Sequence, residues 1–128
     1  MSASRERYAR LSLAVCALFL AAGGIVHMLS YPKAGNVLAH SGLNSFFSAA
    51  IGGVWLSVST TSLALALAFG SLAVRPRLAT PAFVAILSLA PLGSALAIYL
   101  TVGSFVAAHV MLAAGAAALA GAALRGPD

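Results

Sequence analysis

LSLAVCALFLAAGGIVHMLS, residues 11–30, decides the fold. It holds no acidic side chain, no lysine and no arginine, and His27 is its only imidazole. A run of about 20 apolar residues is what a helix needs to cross the hydrocarbon core of a bilayer. Arg5, Arg7 and Arg10 precede it, and residues 1–10 read as a short basic tail. Tyr31-Pro32 follows, where proline lacks an N–H donor and disfavours helix at the residue before it. Basic residues ahead of an apolar run also mark signal peptides. Here the run continues through Ile25, Val26, Met28 and Leu29 with no small-x-small site followed by a polar segment. The expectation is a retained first span.

Working outward, the whole chain shares this character. Of 128 residues, 62% are hydrophobic and 7% are charged, against about 45–50% and about 25% in soluble domains. So few charges cannot cover a water-facing surface, and the lipid bilayer is the expected solvent. The segmentation predicts a single transmembrane domain over residues 1–128, with spans at 11–30, 45–74, 80–100 and 104–124 and a polar loop at 31–44. Within that loop, AGNVLAH predicts a brief interfacial helix opened by Pro32. At about 1.5 Å per residue the second span reaches about 45 Å, so it tilts or projects from the membrane. Arg75-Pro76-Arg77 closes it, and Thr80-Pro81 restarts a helix with an N-cap hydroxyl and a first-turn proline. Pro91 predicts a kink in the third helix. The fold class is all-α: an integral membrane four-helix bundle, up-down-up-down.

Charge placement supplies an orientation. Arg5, Arg7, Arg10, Arg75, Arg77 and Arg125 fall at alternate breaks on one side, and Lys33 alone falls on the other. The positive-inside rule then predicts N-in/C-in, with both termini cytoplasmic in a bacterial-type inner membrane. Because these cations punctuate span ends and form no stripe, nucleic acid is excluded as a partner despite the net charge of +5.

Several chemistries lack their residues. No Asp or Glu lies between Arg7 and Pro127, so there is no intramembrane carboxylate for cation coupling and no acid pair for hydrolysis. The single Cys16 excludes an internal disulfide and CxxC redox chemistry. No GxSxG elbow and no glycine-rich phosphate loop is present. An enzyme is therefore disfavoured, although a Ser–His pair is not formally removed.

Two patterns point to packing. Ser48, Gly52, Trp55, Ser59 and Ser62 share one face of the second span, extended by Ser45. Ala107, Met111, Ala114, Ala118 and Gly121 form a small-residue seam on the fourth, with Ala113, Ala116 and Ala120 beside it. In lipid, small and hydroxyl residues let helices approach closely. A homo-oligomer or a larger membrane complex is the partnership such faces predict.

One pattern points to a ligand. His27, Tyr31, Lys33, His40, Tyr99 and His109 fall at one depth, on the outer rim. Ionisable residues within a span are functional candidates by default. Imidazoles of His27 and His109 from two helices suit a b-type haem, and two or three of the histidines suit zinc or copper. Quinone or a lipid headgroup suits the same rim. The plainer assignment is interfacial histidine bonded to water, Tyr or Ser, and no HxxxH or HExxH motif argues against it. Three functions follow in order of preference. The first is a non-catalytic accessory protein acting by helix packing. The second is a binder of haem, metal, quinone or lipid at His27, His109, Tyr31 and Lys33. The third is an uncoupled channel or facilitator along the hydroxyl face, gated by Trp55.

Overall fold

The computed structural model describes residues 2–126 and is all-helical. The first helix, α1 (Ala3–Leu29), begins well before the apolar run, because the Ser2 hydroxyl caps it by accepting from the Arg5 backbone N–H at 3.4 Å. The basic segment 1–10, expected as a tail, is thus helical from Ala3 onward. Ser30 makes a one-residue break, and α2 (Tyr31–Ala39) starts at once with Pro32 in its first turn. Most of the 31–44 connection is therefore helix, not open loop. Helix α3 (Ser45–Val74) is capped by Asn44, whose Oδ1 accepts from Phe47 N–H at 3.0 Å. A short 3-10 turn, Pro76–Leu78, leads into α4 (Pro81–Thr101), where Thr80 Oγ1 accepts from Phe83 N–H at 3.3 Å. Helix α5 (Val106–Arg125) completes the bundle.

Four helices, α1 with its α2 continuation, α3, α4 and α5, are long and apolar enough to cross a membrane. Pro91 lies inside α4, fully buried, and the helix continues through it.

The helices pack in the order α3–α1–α5–α4. Leu13, Cys16 and Leu20 of α1 meet Ala66 and Phe69 of α3 and Met111, Ala114 and Ala118 of α5 in one core. Helices α3 and α4 are neighbours in sequence but make little direct contact. A cleft of about 130 Å³ separates them, lined by Ser57, Thr61 and Ser62 on one side and Pro91 and Ser94 on the other. Small residues set the closest approaches. A Cβ on Gly121 would meet Leu13 Cδ2 at 3.0 Å, and one on Gly115 would collide with Leu92. Large apolar side chains on the outside stay uncovered, such as Leu67 at 74% and Leu100 at 77% exposure. That distribution suits hydrocarbon, where burial from water drives nothing and contact shape decides packing.

The bundle has two chemically distinct ends. At one, Arg10 Nε donates to Ala73 O and Arg125 Nη1 donates to Pro76 O, both at 2.9 Å. These bonds gather the start of α1, the end of α3 and the end of α5. At the other end lie the histidines of α1 and α5.

Candidate functional site

His27 sits in the last turn of α1 and faces α3. Its Nδ1 lies 2.9 Å from Ser59 Oγ. The Ser59 hydroxyl donates in turn to Trp55 O at 3.1 Å. A hydroxyl has one proton, so with that proton on the Trp55 carbonyl its oxygen accepts from His27. The imidazole proton is thereby assigned to Nδ1, and Nε2 is left as an acceptor. The Trp55 indole stacks on the imidazole at 4.2 Å between ring centres and 15° between planes. Its Nε1–H donates to the His27 carbonyl at 2.8 Å. Near the end of a helix a carbonyl loses its intrahelical partner, and here the indole supplies one.

Tyr31, one turn further, lies against Gly52: a Cβ there would stand 3.0 Å from the phenol oxygen. Residues 27 and 31 on one side, and 52, 55 and 59 on the other, thus interlock as two helical faces of matching period. Gly52, Ser59 and Ser62 are buried, while Ser48 and Trp55 are half-buried. Ser62 donates to Val58 O on its own helix at 2.9 Å. On α5, Ala114, Ala118 and Gly121 are buried and Ala107 is half-buried.

The remaining rim residues are placed elsewhere. His109 is exposed; its Nδ1 donates to Phe105 O at 2.8 Å, and its ring meets Tyr99 edge-on at 5.6 Å. That pair joins α4 to α5, whereas His27 joins α1 to α3. Lys33 and His40 are exposed on and just after α2, and His40 Nδ1 donates to Asn36 O at 2.8 Å. Among the described residues no three His, Cys, Asp or Glu side chains come together in a way that could hold a metal ion. A three-imidazole zinc or copper sphere is therefore not assembled. The rim divides into a tight His27–Trp55–Ser59–Tyr31 cluster and a looser Tyr99–His109 pair.

Sequence spacing put Trp55 and Ser59 on the packing face and His27 on the rim, but did not join them. The usable signal was the shared i, i+4 period of His27/Tyr31 and Trp55/Ser59 at the same depth.

Interhelical hydrogen bonds in membranes average about 0.6 kcal/mol and reach about 1.7. Ser59→Ala removes the acceptor for His27 Nδ1–H, and Trp55→Phe keeps a ring but removes the indole donor. Each should lower unfolding stability by about 1 kcal/mol, read by detergent-driven unfolding. The double variant should cost less than the sum, because both bonds clamp the same turn of α1.

The chain matches no family model, no curated protein and no solved structure.

Proposed function

We propose that the protein is a multi-pass inner-membrane accessory protein without catalysis, acting through helix packing against a second copy or a larger membrane complex. Both termini face the cytoplasm, as the arginines at alternate breaks favour. The polar rim at Lys33 then faces outward, and α4 bends at Pro91. The observation that carries this function is the double-sided small surface of α5. One seam, Ala114, Ala118 and Gly121, is consumed inside the bundle, while Ala116, Ala120 and Ala123 lie exposed one above another. A lane of alanines open to lipid lets a further helix approach closely and gain dispersion contacts that lipid tails supply less well.

The test is cross-linking through that lane. In a Cys16→Ser background, Ala116→Cys should give a disulfide-linked dimer in native membranes, and Ala116→Leu should abolish association in gentle detergent. A particle that stays monomeric and purifies with no other membrane protein refutes the proposal.

A second function, binding a small ligand at the rim, is favoured by one observation. Nδ1 of His27 is anchored by Ser59, leaving Nε2 without a partner among the described residues. An imidazole fixed through one nitrogen is the arrangement that ligating histidines use. A haem absorption band or stoichiometric metal lost on His27→Ala would support it. A colourless, metal-free preparation removes haem and metal as the ligand.

A further inference from the structure

The arginine end contains a cavity of about 390 Å³, lined by Glu6, Arg77, Thr80, Pro81 and Arg125 among others. Arg125 is held there through one nitrogen, Nη1, which donates to Pro76 O at 2.9 Å. Its Nε and Nη2 are buried, and no acceptor among the described residues bonds either of them. Unpaired donors on a buried charged group are costly, and structures rarely tolerate them without a counter-ion or ligand. Arg77 adds a second cation from the exposed face of the 3-10 turn. Arg5 lies close by, since a Cβ on Gly126 would stand 4.0 Å from its Nη2.

The third contribution is electrostatic. Helix α4, 21 residues long, begins at the cavity wall with Thr80 and Pro81. The N-terminal end of a helix carries partial positive charge and favours anions. Against these stands one acid, Glu6, so Arg77 and Arg125 leave the lining cationic. Guanidinium forks match phosphate oxygens in paired, parallel hydrogen bonds.

We infer that this cavity binds a phosphate-bearing anion, with Arg125 and Arg77 as its ligands and the start of α4 behind them. The position at the end of four membrane-length helices is where lipid headgroups lie, and Leu78 and Phe83 next to the site are exposed for acyl chains. The same chemistry also accepts soluble phosphate.

The experiment uses the full chain in a neutral maltoside detergent. Native mass spectrometry measures retention of short-chain phosphatidylglycerol against phosphatidylcholine of equal chain length. A hydrogen bond to a charged group is worth about 1.5–3 kcal/mol, so Arg77→Gln should weaken phosphatidylglycerol binding about tenfold or more. Arg125→Gln should do the same, and Glu6→Gln should tighten it, which a purely structural role for these residues would not produce. If Arg125→Gln fails to fold, Arg77→Gln on its exposed side chain carries the test alone. Displacement of the lipid by millimolar inorganic phosphate identifies soluble phosphate as the ligand. Retention under that challenge identifies the headgroup. Equal retention of the anionic and zwitterionic lipids with no effect of inorganic phosphate, or unchanged binding in a folded Arg77→Gln protein, overturns the inference.

Discussion

Gly115→Leu should detach α4 from α5 and yield protein that fails to fold or runs as an expanded particle in detergent. A Cβ on Gly115 would stand 2.5 Å from both Cγ and Cδ2 of Leu92 and 3.4 Å from the Leu92 backbone nitrogen. Relief requires Leu92 to change its χ1 rotamer, since Cγ itself is in the way, or the helices to part. Overpacking a tight contact costs typically about 1–3 kcal/mol. Gly115→Ala should fall in that range, and the leucine, with three more carbons in the same space, should exceed it. Gly93→Ala on α4 is the internal control. A Cβ there meets nothing within 4 Å, and the added helix propensity makes the change neutral or slightly stabilising. The measurement is the midpoint of unfolding for all three variants in the same detergent, together with the elution volume.

Phe69→Ala should be the most damaging single truncation in α3. Phe69 is the largest fully buried side chain in the bundle, at 0% exposure, in the core formed with α1 and α5. In water-soluble proteins such a change costs about 3–5 kcal/mol, part of it transfer from water and part the cavity left behind. Here the transfer part shrinks, because an unpacked helix surface meets lipid tails, which are as apolar as the core. The cavity part remains, giving about 2–3 kcal/mol. Phe69→Leu, which refills most of the space, should recover more than half of the loss. A full-sized effect of 4 kcal/mol or more, against the roughly 2–3 expected, would show that water reaches the separated helices.

The punctuation of the fold was legible because it rests on local chemistry. Thr80-Pro81 specifies a capped helix start, and the Thr80 hydroxyl accepts from Phe83 N–H. Arg75-Pro76 specifies a helix end through both charge and a missing donor, and α3 stops at Val74. The start of α1 was less legible. Arg5, Arg7 and Arg10 read as a tail, yet arginine is a good helix former and Ser2 a good cap, so the helix runs back to Ala3. Pro32 reads both as the end of the first span and as the opening of a brief helix, and α2 does begin there, directly after Ser30.

Lateral arrangement was not legible. In a soluble helix, polar residues mark the outside. In α3, hydroxyls lie on the buried face at Ser59 and Ser62 and on the exposed face at Ser57 and Thr60, while leucines occur on both. Nothing in such a helix tells which neighbour each face prefers. For the same reason His27, Tyr99 and His109 could be placed at a common depth but not assigned partners. Their contacts depend on the order α3–α1–α5–α4, which no residue announces. The arginines served as markers of orientation, and that masked the role of Arg77 and Arg125 as walls of one cavity.

That order of helices differs from their order along the chain. Of the helices described, α1 comes before the others in the chain; it packs on one side against α3 and on the other against α5. On the α5 side, Ala9 and Leu13 pack on Gly121, and Gly23 packs near Val110. Helix α4 arrives in between and makes little direct contact with α3. Its main partner is α5, which also carries the contact to α1. In chain order, the flank of α1 that takes α5 is thus the last surface of that helix to find its partner.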